Sequence, residues 1–217
     1  MFGKRSAHSF LKSNFPPETT HEHEIELLLN VLSSVVSDHS AVYVSTPITS
    51  GRRFADWSSS RDLEVDLSQP ETYQEFLREV LEPNSRHARQ IIRRLRSLLP
   101  KVLIDPTALE DIEGWIQDDY RVLWARVIEQ YTDTVYFLDG WQYSNGCTYE
   151  FLVANRLNPR PSILKEDQQP LKLEEGIESI KSAVLDLRSS KLPTDFLQRV
   201  LDELKQLRAS DEVFANA

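Results

Sequence analysis

Four short apolar runs, separated by helical segments, constrain the fold of this 217-residue chain more than any other feature. They cover residues 41–45, 101–104, 134–138 and 162–164 and are rich in the β-branched and aromatic residues typical of strands. Strands joined by helical crossovers require a parallel sheet with right-handed connections. We therefore predict an α/β three-layer sandwich with a mostly parallel, flavodoxin- or Rossmann-like sheet of four to five strands and extra N- and C-terminal helices.

The rest of the chain is divided by its polar and proline-rich segments. Residues 1–18 are mixed polar and indicate a flexible arm, residues 19–168 form the predicted α/β domain, and residues 169–217 carry two helical patterns that we interpret as a C-terminal helical extension. The polar segment 55–69 is predicted to be mostly loop. Pro83-Asn84-Ser85 is predicted to break a helix.

Charge and cysteine content exclude several classes of protein. The formal net charge of -9 argues against a general nucleic-acid or anionic-membrane binder, because such proteins present a basic face. No apolar run approaches the roughly 20 residues that cross a bilayer. The single cysteine, Cys147, cannot form an internal disulfide and fits a reducing compartment, so we predict a cytoplasmic location.

Two further patterns have ordinary explanations. A helical segment carries five arginines, which we interpret as a solvated face because no aromatic residues interleave for base stacking; they are Arg86, Arg89, Arg93, Arg94 and Arg96. His21 and His23 lie two residues apart and would face different sides of a helix, unlike the ligands of a zinc helix. We therefore predict no metal site and no cofactor.

The stretch from Asp133 to Ala154 is the strongest candidate for chemistry. It reads as a strand, a polar turn containing Asp139-Gly140, a capping segment Ser144-Asn145-Gly146 and the opening turns of a helix that carries Glu150. Ligands of open α/β sheets bind at the carboxyl ends of strands, where this turn would lie. The alternative is an ordinary βα turn with a surface glutamate.

A second candidate segment follows the first strand. Residues 45–53 combine hydroxyl groups with Arg52 and Arg53, and Gly51 would allow close approach of the backbone. The sheet model brings this loop beside the Glu150 turn around one cleft, which would also contain the phenol of Tyr43. Hydroxyls, backbone amides and guanidinium groups together suit a phosphate or a sugar.

These segments resemble the nucleoside 2-deoxyribosyltransferase superfamily, and in particular an uncharacterised branch with a Gly-Pro-Ile-Thr-Gly-like first loop. The similarity lies in Val42-Tyr-Val-Ser-Thr-Pro-Ile-Thr-Ser-Gly51, in Val102-Leu-Ile-Asp-Pro106, and in the strand, Gly-Trp, Ser-x-Gly, Glu and Ala pattern of residues 133–154. It covers roughly residues 40–157.

The resemblance implies cleavage or exchange of the N-glycosidic bond of a nucleoside or nucleotide, as an N-glycosidase (a hydrolase) or as a transferase. Glu150 matches the family's nucleophile and Tyr43 matches the tyrosine that positions it. The family also has an aspartate in the helix before the third strand, and Asp119 is our candidate for that role. Ser144 and Asn145 stand where the deoxyribosyltransferases carry two acids.

The predicted site therefore has catalytic residues Glu150, Tyr43 and Asp119. The predicted substrate-binding residues are Ser45, Thr46, Pro47, Ile48, Thr49, Gly51, Arg52, Asp139, Trp141, Ser144, Asn145 and Gly146. The expected partner is a small-molecule nucleoside or nucleotide, and the resemblance implies a homo-oligomer. Trp141 could instead pack against a neighbouring helix, and Tyr43 could be an ordinary core residue.

Two functions of other classes remain open. The loss of the family's acids at Ser144-Asn145 is compatible with a nucleotide-binding or sensing module that has lost turnover. Alternatively, the terminal helices could carry an interaction function on an inert scaffold, so that deleting residues 170–217 would remove activity without touching the cleft.

Overall fold

A computed structural model describes residues 15–61 and 65–215. Its centre is a four-stranded sheet of β1 (Ala41–Ser45), β2 (Leu103–Ile104), β3 (Thr132–Phe137) and β4 (Ser162–Lys165) in the order β2-β1-β3-β4. All three strand pairs are parallel. The prediction of an α/β sandwich with a parallel, flavodoxin-like sheet is confirmed.

Eight α-helices of the described residues surround this sheet. They are α1 (Glu22–Ser33), α2 (Gly51–Ser59), α3 (Pro70–Phe76), α4 (Glu82–Leu98), α5 (Gln117–Tyr131), α6 (Asn145–Arg156), α7 (Leu173–Ser189) and α8 (Asp195–Ala215). Among the residues described, no helix is long and apolar enough to cross a membrane.

The central strand β1 is covered on both faces, and all five of its residues are buried. Tyr43 points into a large apolar cluster formed with α1, α5, α6, α7 and α8. Val42 and Val44 point the other way and pack against α4. Alternate residues of a strand face opposite sides, so this single strand contacts both helical layers.

The helices at both ends of the chain belong to the larger of these clusters. Ile25 of α1 and Leu197 of α8 are buried in the same cluster as Tyr43. Gly176 of α7 lies against the fully buried Phe151, and a Cβ at Gly176 would approach the Phe151 ring to 2.2 Å. The C-terminal helices therefore pack directly on the layer that carries Glu150.

Two segments differ from the sequence prediction. The first part of the predicted loop 55–69 is helical, because α2 extends to Ser59 and buries Phe54 against Phe76 in a third apolar cluster. The predicted break at residues 83–85 is also wrong. A π-helical turn, Leu77–Leu81, precedes Pro83 and joins α3 to α4 without interruption. Its wider hydrogen-bonding pattern accommodates the bond that the proline cannot make.

Candidate functional site

Glu150 lies at the centre of the candidate site, on α6 above the end of β1. Its side chain is 7% exposed. The Tyr43 hydroxyl donates to Oε1 at 2.8 Å, and the Ser45 hydroxyl donates to Oε2 at 2.6 Å. Tyr43 and Ser45 lie two residues apart on β1 and so project from the same face of the sheet. One strand thus supplies a donor to each carboxylate oxygen.

Burial dominates the electrostatics of this carboxylate. It raises the pKa of Glu150, whereas the Ser45 and Tyr43 hydrogen bonds and the charge of Arg121 act in the opposite direction. Burial and the neighbouring Glu150 carboxylate hold the pKa of Tyr43 well above its usual value. The phenol therefore stays protonated and remains a hydrogen-bond donor to Glu150.

Arg121 on α5 supplies the buried positive charge near Glu150. Its side chain is 6% exposed and is paired with Asp118, one helical turn away. The guanidinium carbon also lies 5.2 Å from the centre of the Phe196 ring of α8. Its Nε is buried and has no hydrogen-bond acceptor within residues 15–61 and 65–215. Arg121 thus keeps one donor group free in an otherwise enclosed environment.

Glu150 and Arg121 both line a cavity of about 360 Å³ at the carboxyl end of the sheet. The wall combines the loop after β1, the loop after β2, the start of α5, the start of α6 and the π-turn–α4 junction. Its other members are Thr46, Ile48, Thr49, Ser50, Leu81, Ser85, Arg89, Pro106, Thr107, Leu109, Asp111, Gln117, Tyr120, Trp124, Ser144, Gly146 and Cys147.

The loop after β1 is fixed by contacts at both of its ends. The side-chain amide of Asn84 donates to the carbonyl oxygens of Ile48, at 3.0 Å, and Ser50, at 3.3 Å. The Ser50 hydroxyl donates to Ser144 at 2.9 Å. Gly51 has a φ of +84°, which other residues rarely adopt, and starts α2 directly after this loop. These contacts hold the loop against the start of α6.

Several residues predicted from the sequence come together around this cavity. Thr46, Ile48, Thr49, Ser144, Gly146 and Glu150 lie in its wall. Tyr43 and Ser45 are fully buried behind Glu150 and contact it directly. Pro47, Gly51 and Asn145 neighbour wall residues in the chain without lining the cavity. Ser144 also caps α6, since its hydroxyl accepts from the Cys147 amide.

Asp119 lies outside the cavity wall and is used by the fold itself. It is 2% exposed. One carboxylate oxygen accepts from the Thr19 hydroxyl at 2.5 Å, and the other accepts from the Ile116 amide at 2.6 Å at the start of α5. Both oxygens are therefore engaged in capping the helix and in tying the N-terminal segment to it.

Three predicted substrate contacts also point elsewhere. Arg52 turns away from the cavity, pairs with Asp56 and donates to the Tyr143 hydroxyl at 2.9 Å. Trp141 is buried and packs on Phe151, with ring centres 4.8 Å apart. Asp139 is exposed beyond β3, where its amide donates to Glu166. None of these three side chains lines the cavity.

The structure adds wall residues that were not predicted as binding residues. Arg89 belongs to the arginine-rich helix that we interpret from the sequence as a solvated face, and Arg121 lies two residues after Asp119, the acid predicted for catalysis. Tyr120 and Trp124 add aromatic surface, and the ring of Trp124 lies 6.1 Å from that of Tyr43. The helical spacing of residues 120, 121 and 124 indicates that they lie near one another on α5, but spacing alone does not show which side of the helix faces a cavity.

No protein-family model, curated protein or solved structure matches the chain. The fold and the cavity define an α/β protein with a ligand-sized pocket at the carboxyl end of its parallel sheet. The resemblance to the nucleoside 2-deoxyribosyltransferase superfamily stays a prediction.

Proposed function

We propose that the protein cleaves the N-glycosidic bond of a nucleoside or nucleotide, by hydrolysis or by transfer to another base, with Glu150 as the nucleophile. The observation that carries this proposal is the placement of Glu150. A buried carboxylate lines a ligand-sized cavity and is held by two hydroxyl donors from β1. The cavity volume of about 360 Å³ falls within the usual range for small-molecule sites.

The chemistry follows from this arrangement. An oxygen of Glu150 attacks C1′ of the sugar while the C1′–N bond breaks, and the bonding electron pair leaves with the base, which takes up a proton. A water molecule then attacks C1′, frees the Glu150 carboxylate and restores the proton to solvent. In the transferase reaction a second base replaces the water. Two displacements retain the configuration at C1′.

The hydroxyls of Tyr43 and Ser45 would orient the nucleophile and reduce the cost of its burial. A carboxylate attacks only when it is ionised, and burial raises the pKa of Glu150. Base release should therefore increase as the pH rises through that pKa. The aromatic side chains of Tyr120 and Trp124 offer surfaces on which a base can stack.

The test is a panel of nucleosides and nucleoside monophosphates incubated with the protein and scored for free base by chromatography. Glu150→Gln keeps the size of the side chain and removes the nucleophile, so base release should fall to background. Glu178→Gln, on an exposed position of α7, is the matched control and should behave as wild type. Base release by the Glu150→Gln protein at the wild-type rate would contradict the mechanism.

A nucleotide-binding module without turnover is the second candidate. It is favoured by the composition of the cavity wall. The acidic residues of this wall are Glu150 and the exposed Asp111, so Glu150 is the one buried acid among the described wall residues. The Ser144 hydroxyl, at one of the positions where the nucleoside 2-deoxyribosyltransferases carry an acid, is occupied by Ser50 and by the α6 cap. Calorimetric binding of a nucleotide without any base release after long incubation would favour this candidate over the enzyme.

A further inference from the structure

The exposed side of α4 carries five arginines. Four of them recur at intervals of three, four and three residues, so they lie along one side of the helix. They form what we call the arginine stripe, namely Arg86, Arg89, Arg93 and Arg96. All four are exposed, as is Arg94 beside them. The opposite side of α4 is apolar and buries Ala88, Ile92 and Leu95 against the sheet. This amphipathic helix therefore presents its positive charge to solvent in a single line.

Acids of the same chain do not neutralise this charge. Aspartate and glutamate outnumber lysine and arginine by 34 to 25, and arginines elsewhere are paired with them, among them Arg126, Arg156 and Arg160. Within residues 15–61 and 65–215, none of the five arginines of α4 forms an ion pair. Like charges three or four residues apart destabilise a helix, so the stripe does not serve the stability of α4. Its charge is available to an anionic partner.

The composition of this side of α4 favours a phosphate backbone over an acidic protein. Guanidinium groups bind phosphates through charge-assisted, often bidentate hydrogen bonds. Protein interfaces have a core of apolar and aromatic residues, whereas the exposed residues from Arg86 to Arg96 are arginines and Gln90. Proteins that hold single strands stack the bases on aromatic side chains, and residues 86–96 include no Phe, Tyr or Trp. A paired nucleic acid, contacted through its backbone, fits both observations.

The length of the arginine stripe matches a short stretch of such a backbone. The ten residues from Arg86 to Arg96 correspond to about 15 Å along the helix axis. Each strand of duplex DNA presents a phosphate about every 3.4 Å of its axis, so the stripe spans roughly four phosphates. The net charge of -9 repels nucleic acid from the rest of the surface. It argues against binding over the whole protein, but not against binding that is confined to one helix.

We propose that the arginine stripe binds the sugar–phosphate backbone of a double-stranded nucleic acid, DNA or RNA, without reading its base sequence. Contacts to phosphates fix the position of a protein on a duplex but carry no sequence information. Arg89 belongs both to the stripe and to the wall of the cavity that contains Glu150, so a bound duplex lies beside that cavity. Binding to the stripe requires no turnover at Glu150.

The experiment measures the fluorescence anisotropy of labelled DNA and RNA duplexes of mixed sequence as the full-length protein is added. Affinity should fall about a hundredfold between about 50 and 200 mM salt, because roughly four phosphate contacts release counterions. The double variant Arg93→Gln, Arg96→Gln should bind at least about tenfold more weakly at low salt, with a salt slope smaller by about two. The matched control, Arg156→Gln with Arg160→Gln, loses the same charge from two exposed arginines that are paired with acids, and it should bind as wild type. Circular dichroism checks that both variants are folded.

Competing probes decide which partner the stripe fits. Equal affinity for two duplexes of different sequence supports contact with the backbone alone. The absence of duplex binding at low salt, or an equal loss of affinity in both double variants, overturns the role of the stripe. Tighter binding of a single strand of the same length overturns the preference for a duplex. Polyglutamate of equal charge, bound as tightly as the duplex and through Arg93 and Arg96, identifies an acidic protein as the partner and overturns the assignment to nucleic acid.

Discussion

Tyr43→Phe tests the central contact of the site because it removes one of the two donors to Glu150 without changing the shape of the core. The Tyr43 hydroxyl is fully buried and donates to Oε1 at 2.8 Å. A hydrogen bond to a charged group contributes about 1.5–3 kcal/mol, and one between neutral groups about 0.5–1.5 kcal/mol. Losing the bond should therefore destabilise the protein more when Glu150 is ionised than when it is protonated.

The sign of the pH dependence follows from linkage. Burial places the pKa of Glu150 in the folded protein above its unfolded value, and the loss of a donor to the ionised form raises it further. The folded variant thus holds the proton to higher pH than the wild type does. The difference in the free energy of unfolding between the two proteins grows as the pH rises through the folded pKa of Glu150 and shrinks at acid pH.

Urea unfolding of both proteins across a pH series measures this difference. At alkaline pH the variant should be about 1.5–3 kcal/mol less stable, which corresponds to a melting temperature lower by about 3–12 °C for a chain of this size. Tyr131→Phe is the matched control, because the buried Tyr131 hydroxyl donates to the neutral carbonyl of Leu29. Its cost should not change across the pH range in which Glu150 titrates. An identical cost of Tyr43→Phe at pH 4 and pH 8 would refute the reasoning.

Three further predictions concern the same region. Gly176→Ala should destabilise the protein by about 1–3 kcal/mol in urea unfolding, because its Cβ would lie 2.2 Å from the Phe151 ring. Gly146→Ala is the control and should not destabilise the protein in this way, because its Cβ would meet nothing closer than 3.8 Å. Burial raises the pKa of the Cys147 thiol to about 12, so a disulfide reagent at pH 8 should modify it only in denaturant, and rapid labelling of the native protein would contradict its burial. Glu150→Gln should raise the melting temperature at pH 8, because the raised pKa of Glu150 makes its ionised carboxylate a cost to folding. The gain in melting temperature should become smaller toward pH 4, where the wild-type carboxyl is protonated. A lower melting temperature of the variant at pH 8 would count against this reasoning.

The strand framework could be predicted because each strand is a short apolar run between helices. Residues 41–45 coincide with β1, and the later runs fall within a few residues of β3 and β4. The β2 run was longer than the strand, since only Leu103 and Ile104 pair with β1. Strand pairing depends on where the neighbouring strand ends, and a single sequence does not contain that information.

The missed helix α2 has a different cause. Its composition is polar, and only Gly51, Phe54, Ala55 and Ser58 are buried along its nine residues. A helix with so narrow an apolar face is stabilised by a partner, here Phe76 at a ring-centre distance of 6.2 Å from Phe54. That partner lies in the next helix, so composition alone favoured a loop.

Some of the predicted site residues could be placed from local strand geometry, whereas the position of others depends on how distant helices pack. Tyr43 and Ser45 share a face by strand geometry, and their contact with Glu150 could be anticipated from the sheet order. The sequence does not show which of Arg52 and Arg89 lines the cavity. The former turns to Tyr143 and the latter enters the cavity wall, because the orientations of α2 and α4 are set by apolar packing elsewhere in the chain.

Glu150 differs from Asp119, another buried acid near the start of a helix, in what its carboxylate contributes to the fold. Asp119 has the bonds of a structural acid, since it accepts from the amide of Ile116, the residue just before α5, and from the Thr19 hydroxyl. Glu150 is the sixth residue of α6, which has no acid in its first turn and is capped by Ser144. The helix dipole acts mainly within the first turn, so α6 gains little from this carboxylate.

The partners of Glu150 are instead two hydroxyls more than 100 residues away in the sequence, and these do not fully offset its burial. Glu150 thus contributes little to the stability of its own helix, and its ionised carboxylate remains a cost to folding at neutral pH. Such a group is typical of a functional site. The functional role of Glu150 can therefore be tested without any family resemblance, by the opposite pH responses expected for Glu150→Gln and Tyr43→Phe.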